Sequence, residues 1–284
     1  MIKFYYKINS RVHFIIVKIK TIGEKCIMIK EIFSKELITF EYPPDGGTVP
    51  IIDPYEGCTI GCPYCFQREN PNWNENLIVK LNVYELIKEQ LNNWDKRKTI
   101  YIGSKCDPYM EIENKYELTK KCLIELSKLH IPTMITTKAH HNIIFRDIDI
   151  LKSYGADLTV LLGLSNLNQI TDLNKSHKIE NIRLANTLYE QGIKVWVFIT
   201  PILPGITDVN KMIEGLNEDI PVFLDKLRLK KDSVTAEKML KYINNKYPSL
   251  KSIYEDIIIN DRNIYIDELR HTWKDSSRIK FVFD

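Results

Sequence analysis

Six short apolar runs alternate with amphipathic segments along most of the chain, and nothing else in the sequence narrows its fold so far. The runs are Val49 to Asp53, Thr99 to Ser104, Pro132 to Thr137, Leu158 to Leu164, Lys194 to Thr200 and Pro221 to Leu229. Between them lie helical patterns at Val83 to Asn92, Tyr116 to Leu129, Ile143 to Tyr154, Ile179 to Glu190, Val209 to Glu218 and Thr235 to Asn245. The runs are rich in Ile, Val, Leu and Thr with few charges, as in strands covered on both faces. Gly155 and Gly192 follow two of the helical patterns as C-terminal caps. This rhythm predicts an α/β fold: a partial (β/α)6 TIM-type barrel of parallel strands, with chemistry at the C-terminal strand ends. Residues 49–230 are expected to form this core, with residues 1–48 as an N-terminal extension and 231–284 as a C-terminal helical one. A length of 284 residues suits one such domain, and 44% hydrophobic content fills its core.

The loop after the first run reads Tyr55-Glu-Gly-Cys58-Thr-Ile-Gly-Cys62-Pro-Tyr-Cys65-Phe66, a C-x3-C-x2-C spacing. A structural zinc site or an electron-transfer cluster calls for four protein ligands. Three thiolates without a fourth neighbour suit three irons of a [4Fe-4S] cluster whose last iron is left for another ligand. Cys122 lies in a helical pattern and reads as core, and Cys26 falls in the N-terminal extension. With three of six cysteines grouped in one loop, the chain reads as a metal user in a reducing, cytoplasmic setting rather than as a disulfide framework.

The net charge of +3 neither requires nor excludes nucleic acid. Lys96-Arg97-Lys98 and Arg228-Leu-Lys230-Lys231 read as solvated charge. The apolar run Val12 to Val17 is cut by Lys18, too short for a membrane span, and Lys20 to Lys25 offers no cleavage site for a leader. No membrane partner is expected. Met28 provides a second start, which would set residues 1–27 upstream of the working chain.

The cysteine loop after the first strand, with Tyr64 before its last cysteine, resembles the radical S-adenosylmethionine (SAM) superfamily. That resemblance implies a [4Fe-4S] cluster on Cys58, Cys62 and Cys65, SAM chelated at the open iron, and a low-potential electron donor such as flavodoxin or ferredoxin. It implies reductive cleavage of SAM to a 5′-deoxyadenosyl radical that takes hydrogen from a substrate. Cys106-Asp-Pro-Tyr109, Ile135-Thr-Thr-Lys138-Ala-His140-His141 and Thr200-Pro-Ile-Leu-Pro-Gly205-Ile-Thr-Asp208 resemble the subfamily of spore photoproduct lyase and related DNA repair photolyases. This narrower likeness spans roughly Ile51 to Asp208, about half the chain.

Carried onto this sequence, the resemblance places Tyr64 beside the adenine and Lys138 near the methionyl carboxylate or ribose. Gly163 allows close cofactor approach, with Ser165 or Asn166 at the ribose. Gly103 and Ser104 stand where relatives carry a glycine-rich motif for the methionyl amino group; that motif is incomplete here, so Asp107 is the expected polar contact. Loop packing by Tyr64, a solvated Lys138, and turn capping by Ser165 or Asp107 are the competing structural roles. His140, His141 and Arg183 are weaker candidates. Phe66 departs from the tyrosine that the lyase carries after its last cysteine.

Cys106 ends the second strand. The lyase uses a strand-two cysteine as hydrogen-atom donor, three residues before the matching aspartate, whereas Cys106 stands one before Asp107. Period-two alternation would keep both on one strand face, and so preserve the role, if the strand continues as far as Cys106. The competing reading is an inert packing thiol.

Three function classes follow. The first is a lyase-like radical enzyme acting on nucleic acid. The second is a radical enzyme modifying a peptide or small metabolite, as an epimerase does, with Cys106 quenching the substrate radical. The third is a non-enzymatic metal-binding module, which predicts no SAM cleavage.

Overall fold

A computed structural model describes residues 2–8, 11–22, 25–42, 47–138, 143–164 and 177–282. They fall into two compact units, residues 1–61 with 72–160 and residues 62–71 with 161–284.

The first unit opens with an antiparallel meander of β1 (Ile2–Ile8), β2 (Arg11–Ile22) and β3 (Lys25–Ile32). The run Val12 to Val17 lies within β2, and Cys26 lies in β3. Next come β4 (Ile38–Glu41), β5 (Val49–Ile52), β6 (Tyr55–Glu56) and β7 (Asn76–Lys80). β7 runs parallel to β3 and antiparallel to β6, completing a five-stranded sheet in the order β1-β2-β3-β7-β6. The chain continues through α1 (Val83–Leu91), β8 (Ile100–Ile102), α2 (Glu113–Tyr116), α3 (Leu118–Lys128), β9 (Thr133–Thr137), α4 (Ile143–Arg146), α5 (Ile148–Ser153) and β10 (Leu158–Leu164). β5 and β8 are parallel through Ile51 opposite Tyr101, and β8 and β9 through Ile100 opposite Thr133, while β4 closes this edge antiparallel to β5.

Burial explains these assignments. Ile51, Ile52, Ile100, Ile102 and Ile135 are fully enclosed, so adjacent residues of a strand face apolar surroundings on both sides. α1 buries Val83, Leu86, Ile87 and Leu91, a helical spacing that covers the sheet with one stripe. The helix predicted over Ile143 to Tyr154 is two shorter ones, divided at Asp147, whose carboxylate is taken up by Arg146.

β10 carries the chain onward, and the second unit then holds α6 (His177–Glu190), β11 (Val195–Ile202), α7 (Val209–Glu214), β12 (Val222–Lys226), α8 (Val234–Lys246), α9 (Lys251–Asn260), α10 (Ile264–Trp273) and β13 (Ile279–Phe281). β12 runs parallel to β11 and β13 parallel to β12, with Val222 opposite both Val197 and Ile279. All seven residues of β10 are buried. Residues 231–284 are therefore helical except for their end, where β13 adds a strand that the sequence pattern did not announce. A second core of Leu203, Ile206, Leu227, Met239, Ile243 and Tyr254 joins the loop after β11 to α8 and α9.

Candidate functional site

In the first unit the cysteine loop leaves β6 through Gly57, at φ +86°, where a Cβ would lie 2.0 Å from the Asn76 carbonyl oxygen. Only glycine tolerates that approach. It brings Cys58 against residues 73–76: the Cys58 N–H donates to Trp73 O at 3.1 Å, and Asn74 Nδ2 donates to Cys58 O at 2.7 Å. The Thr59 N–H reaches Met110 Sδ at 3.2 Å.

Cys106 is buried, but β8 ends at Ile102 and residues 103–106 are bends, so Cys106 does not end the strand and period-two alternation does not set the face it occupies. Its thiol donates to the Tyr55 carbonyl at 3.0 Å and lies 3.7 Å from Asp53 Oδ1. Burial pushes the Cys106 thiol well above its ordinary range, and Asp53, Cys58 and Asp107 add to the shift, so the sulfur keeps its proton. The structure thus gathers Cys58, Cys106 and Asp107 of the expected residues, together with Asp53.

Asp53 is 5% exposed. Its Oδ1 accepts from the Lys105 N–H at 3.2 Å and the Cys106 N–H at 3.5 Å, while Oδ2 is buried with no partner among the described residues. Burial raises its pKa, against the lowering by those two N–H groups and by Lys80. Lys80 Nζ donates to Asp53 O at 3.0 Å and pairs with Glu56 at 3.3 Å. Nothing in the sequence reading singled out Asp53. The available signal was a carboxylate ending an apolar strand five residues ahead of the first cysteine.

Asp107 ties β8 to β9. Its Oδ1 accepts from the Tyr109 N–H at 2.9 Å and the Thr137 hydroxyl at 2.8 Å, and its Oδ2 accepts from the Lys138 N–H at 2.6 Å. Gly103 has φ +88°, and a Cβ there would meet Thr136 O at 2.5 Å. The Ser104 hydroxyl is exposed and donates to Glu41 at 2.7 Å. A buried ionic network, also absent from the sequence reading, lies in the same unit. Glu113 accepts from the Tyr55 hydroxyl, the N–H groups of Thr119 and Lys120, and Arg146 Nη2 at 2.9 Å, while Arg146 Nε bonds Asp147 at 2.8 Å.

In the second unit the Cys65 N–H donates to Cys62 O at 3.3 Å, the Arg68 N–H to Cys65 O at 3.0 Å and Arg68 Nη1 to Cys62 O at 3.4 Å. Tyr64 packs against the second core. Gly163 lies inside the buried strand β10, and Arg183 is exposed on α6. His140, His141, Ser165 and Asn166 lie outside the described residues. Cys58, Cys62 and Cys65 are half-buried, Cys106 and Cys122 are buried, and none of the five forms a disulfide. Among the described residues no three His, Cys, Asp or Glu side chains close on a single metal ion.

Residues 52–218, more than half of the chain, match the family described as the Radical SAM superfamily. The chain belongs to the radical SAM superfamily. It is 30% identical over 239 residues to Uncharacterized protein MJ0683 of Methanocaldococcus jannaschii, covering 80% of this chain and 87% of that one. It is 24% identical over 193 residues to Uncharacterized protein Rv2578c of Mycobacterium tuberculosis, covering 61% and 56%.

Among solved structures it is similar to spore photoproduct lyase complexed with dinucleoside spore photoproduct, with a TM-score of 0.54 and 14% identity, over 78% of this chain and 66% of that one. A lyase variant with bound AdoMet and dinucleoside spore photoproduct gives a TM-score of 0.51 at 14% identity, over 74% and 64%. The chain thus spans just under two thirds of the lyase chains.

The fold is α/β with parallel strands, the partial TIM-type barrel of the family. The chain is a radical SAM enzyme, its cofactors are a [4Fe-4S] cluster and SAM, and it requires an electron donor and a substrate. No helix among the described residues is long and apolar enough to cross a membrane.

Proposed function

We propose that Cys58, Cys62 and Cys65 hold the cluster, and that the enzyme acts on a nucleic-acid lesion in the manner of spore photoproduct lyase, with Cys106 as hydrogen-atom donor. The donor set supports the first part: three half-buried cysteines of one loop, none of them in a disulfide, suit a four-iron cluster, which spreads its ligands over separate irons, so they need not converge on one point. The bound cofactors supply one-electron cleavage of SAM and hydrogen abstraction.

One observation carries the second part. Cys106 is held as S–H in the bend that follows β8, its proton directed to the Tyr55 carbonyl, with Cys58 near enough to raise its pKa. A hydrogen-atom donor must be a thiol, because a thiolate has no hydrogen atom to give. On donation the S–H bond breaks as a C–H bond forms, and the unpaired electron passes from the substrate carbon to sulfur. On the cofactor side, Tyr64 is assigned to the adenine and Lys138 to the methionyl carboxylate. Gly103, Ser104 and Asp107 shape the amino-group side, and Gly163 and Ser165 the ribose side.

Residues 49–230 form the catalytic core in this reading, flanked by 1–48 and 231–284. The electron donor in this reading is a flavodoxin or ferredoxin in a reducing cytoplasm.

The test is deuterium transfer with the reduced, reconstituted protein. Label moving from a dinucleoside lesion into 5′-deoxyadenosine supports the reading. Label moving only from a peptide or small metabolite replaces it with the modifying-enzyme class.

A further inference from the structure

We propose that Glu69 is a positioning residue for the cluster, keying the distal half of the cysteine loop to the N-terminus of α8. The inference rests on the reading that Cys62 and Cys65 are ligands. Cys65 is followed directly by a 3-10 turn, Phe66–Glu69, and the turn ends on the carboxylate that meets the helix. Glu69 Oε1 accepts from the Thr235 N–H at 2.7 Å and from the Thr235 hydroxyl at 2.5 Å, and Oε2 accepts from the Val234 N–H at 3.3 Å. Ser233 Oγ accepts from the Ala236 N–H at 3.1 Å.

The first three N–H groups of α8, which have no partner within the helix, are therefore satisfied by two side chains, and one of these arrives from 166 residues earlier. A carboxylate in this place also meets the positive end of the helix dipole. The Thr235 hydroxyl and N–H hold Glu69 below the ordinary glutamate range. Lys238, one turn along α8, donates to Arg68 O at 3.2 Å.

The stretch between these anchors holds the cysteines. Tyr64, between Cys62 and Cys65, packs into the core that contains Met239 and Ile243 of α8. Arg68 bonds the carbonyl oxygens of both cysteines. The arm is thus gripped at Tyr64 by packing against the second core, to which α8 contributes, and at Arg68 and Glu69 by hydrogen bonds to α8 itself. Thr235 is 2% exposed, while Glu69 itself is exposed, so the contact sits at the boundary between the core and solvent. Residues 231–246, which carry no cofactor motif, become the support that fixes two of three ligand backbones. Partners of this kind, one step behind the ligands, set metal affinity and the electronic signature of a site.

The experiment uses the full chain, reconstituted anaerobically, with iron loss to a chelator and the electron paramagnetic resonance spectrum of the reduced cluster as readouts. Glu69→Ala is expected to keep its circular dichroism but to lose iron about ten-fold faster, with an altered spectrum. Glu69→Gln keeps an oxygen acceptor for Thr235 and is expected to recover most of the lifetime. A wild-type chain that takes up no cluster refutes the assignment of the cysteines themselves. A stable wild type with Glu69→Ala equal to it in lifetime and spectrum overturns only the role of Glu69. Should Glu69→Ala not fold, Thr235→Val decides: a shortened lifetime supports the role, and an unchanged one overturns it.

Discussion

Gly57→Ala tests how the first ligand is placed. The new methyl would sit 2.0 Å from Asn76 O and 3.1 Å from both Asn76 C and Trp73 O, at a backbone φ of +86°. The left-handed conformation alone costs a non-glycine residue about 1–2 kcal/mol. Forcing the backbones apart adds about 1–3 kcal/mol, since Asn76 is fixed in β7 opposite Met28 and cannot retreat freely. The sum, about 2–5 kcal/mol, lowers the melting temperature of a chain of this size by about 5–15 °C. The same displacement stretches the bonds from the Cys58 N–H to Trp73 and from Asn74 to Cys58 O, so iron uptake falls with stability. Gly192→Ala is the control: φ is +79° but no atom lies within 4 Å of the new methyl, leaving the conformational cost alone. Calorimetry of the metal-free proteins and iron content after reconstitution give the comparison. If Gly57→Ala melts with Gly192→Ala and loads the same iron, the close approach does not place Cys58.

Three further outcomes are expected. Arg146→Met leaves Glu113 and Asp147, each with a fully buried side chain, without their cation, and urea denaturation should show a loss of about 3–5 kcal/mol; a loss under about 1 kcal/mol would mean that the network does not stabilise the first unit. Burial raises the Asp53 pKa in the folded chain, so as pH rises past the ordinary aspartate range the unfolded state releases its proton first, and the contribution of Asp53 to stability is lost as pH rises through the folded value. The stability of wild type relative to Asp53→Asn should accordingly decline from acidic to neutral pH, and a difference that is flat or rising with pH contradicts the burial argument. Cys106→Ala should cleave SAM as wild type does while diverting the substrate radical to another product; an unchanged product ends the donor role.

The core strands were legible because each is an apolar run between helical patterns, and all six candidate runs coincide with β5, β8, β9, β10, β11 and β12. The last strand is shorter than its apolar run: Leu227 and Leu229 are apolar because they meet the second core, not because they pair in a sheet. The N-terminal meander escaped because Lys18 reads as an interruption of an apolar run, whereas the alternation of Lys18 and Lys20 with Val17 and Ile19 is the period of a strand. The cysteines were legible from spacing. Their supports were not: Asn74 is sixteen residues from Cys58, and Thr235 is 166 from Glu69. Contacts set by the tertiary path leave no local pattern. Asp107 was legible through the family resemblance as a polar contact or a turn cap, yet its bonds to Thr137 and Lys138 depend on β8 lying beside β9, which only the folded sheet supplies.

The central claim is that the three loop cysteines carry the chemistry that family membership requires. Its most direct test is 5′-deoxyadenosine formation by the reconstituted protein with SAM and a strong reductant, alongside Cys58→Ala, Cys62→Ala and Cys65→Ala prepared identically. The account predicts product from wild type and none from any of the three variants. Product from a variant, or none from a wild-type chain carrying a full [4Fe-4S] cluster, would contradict it.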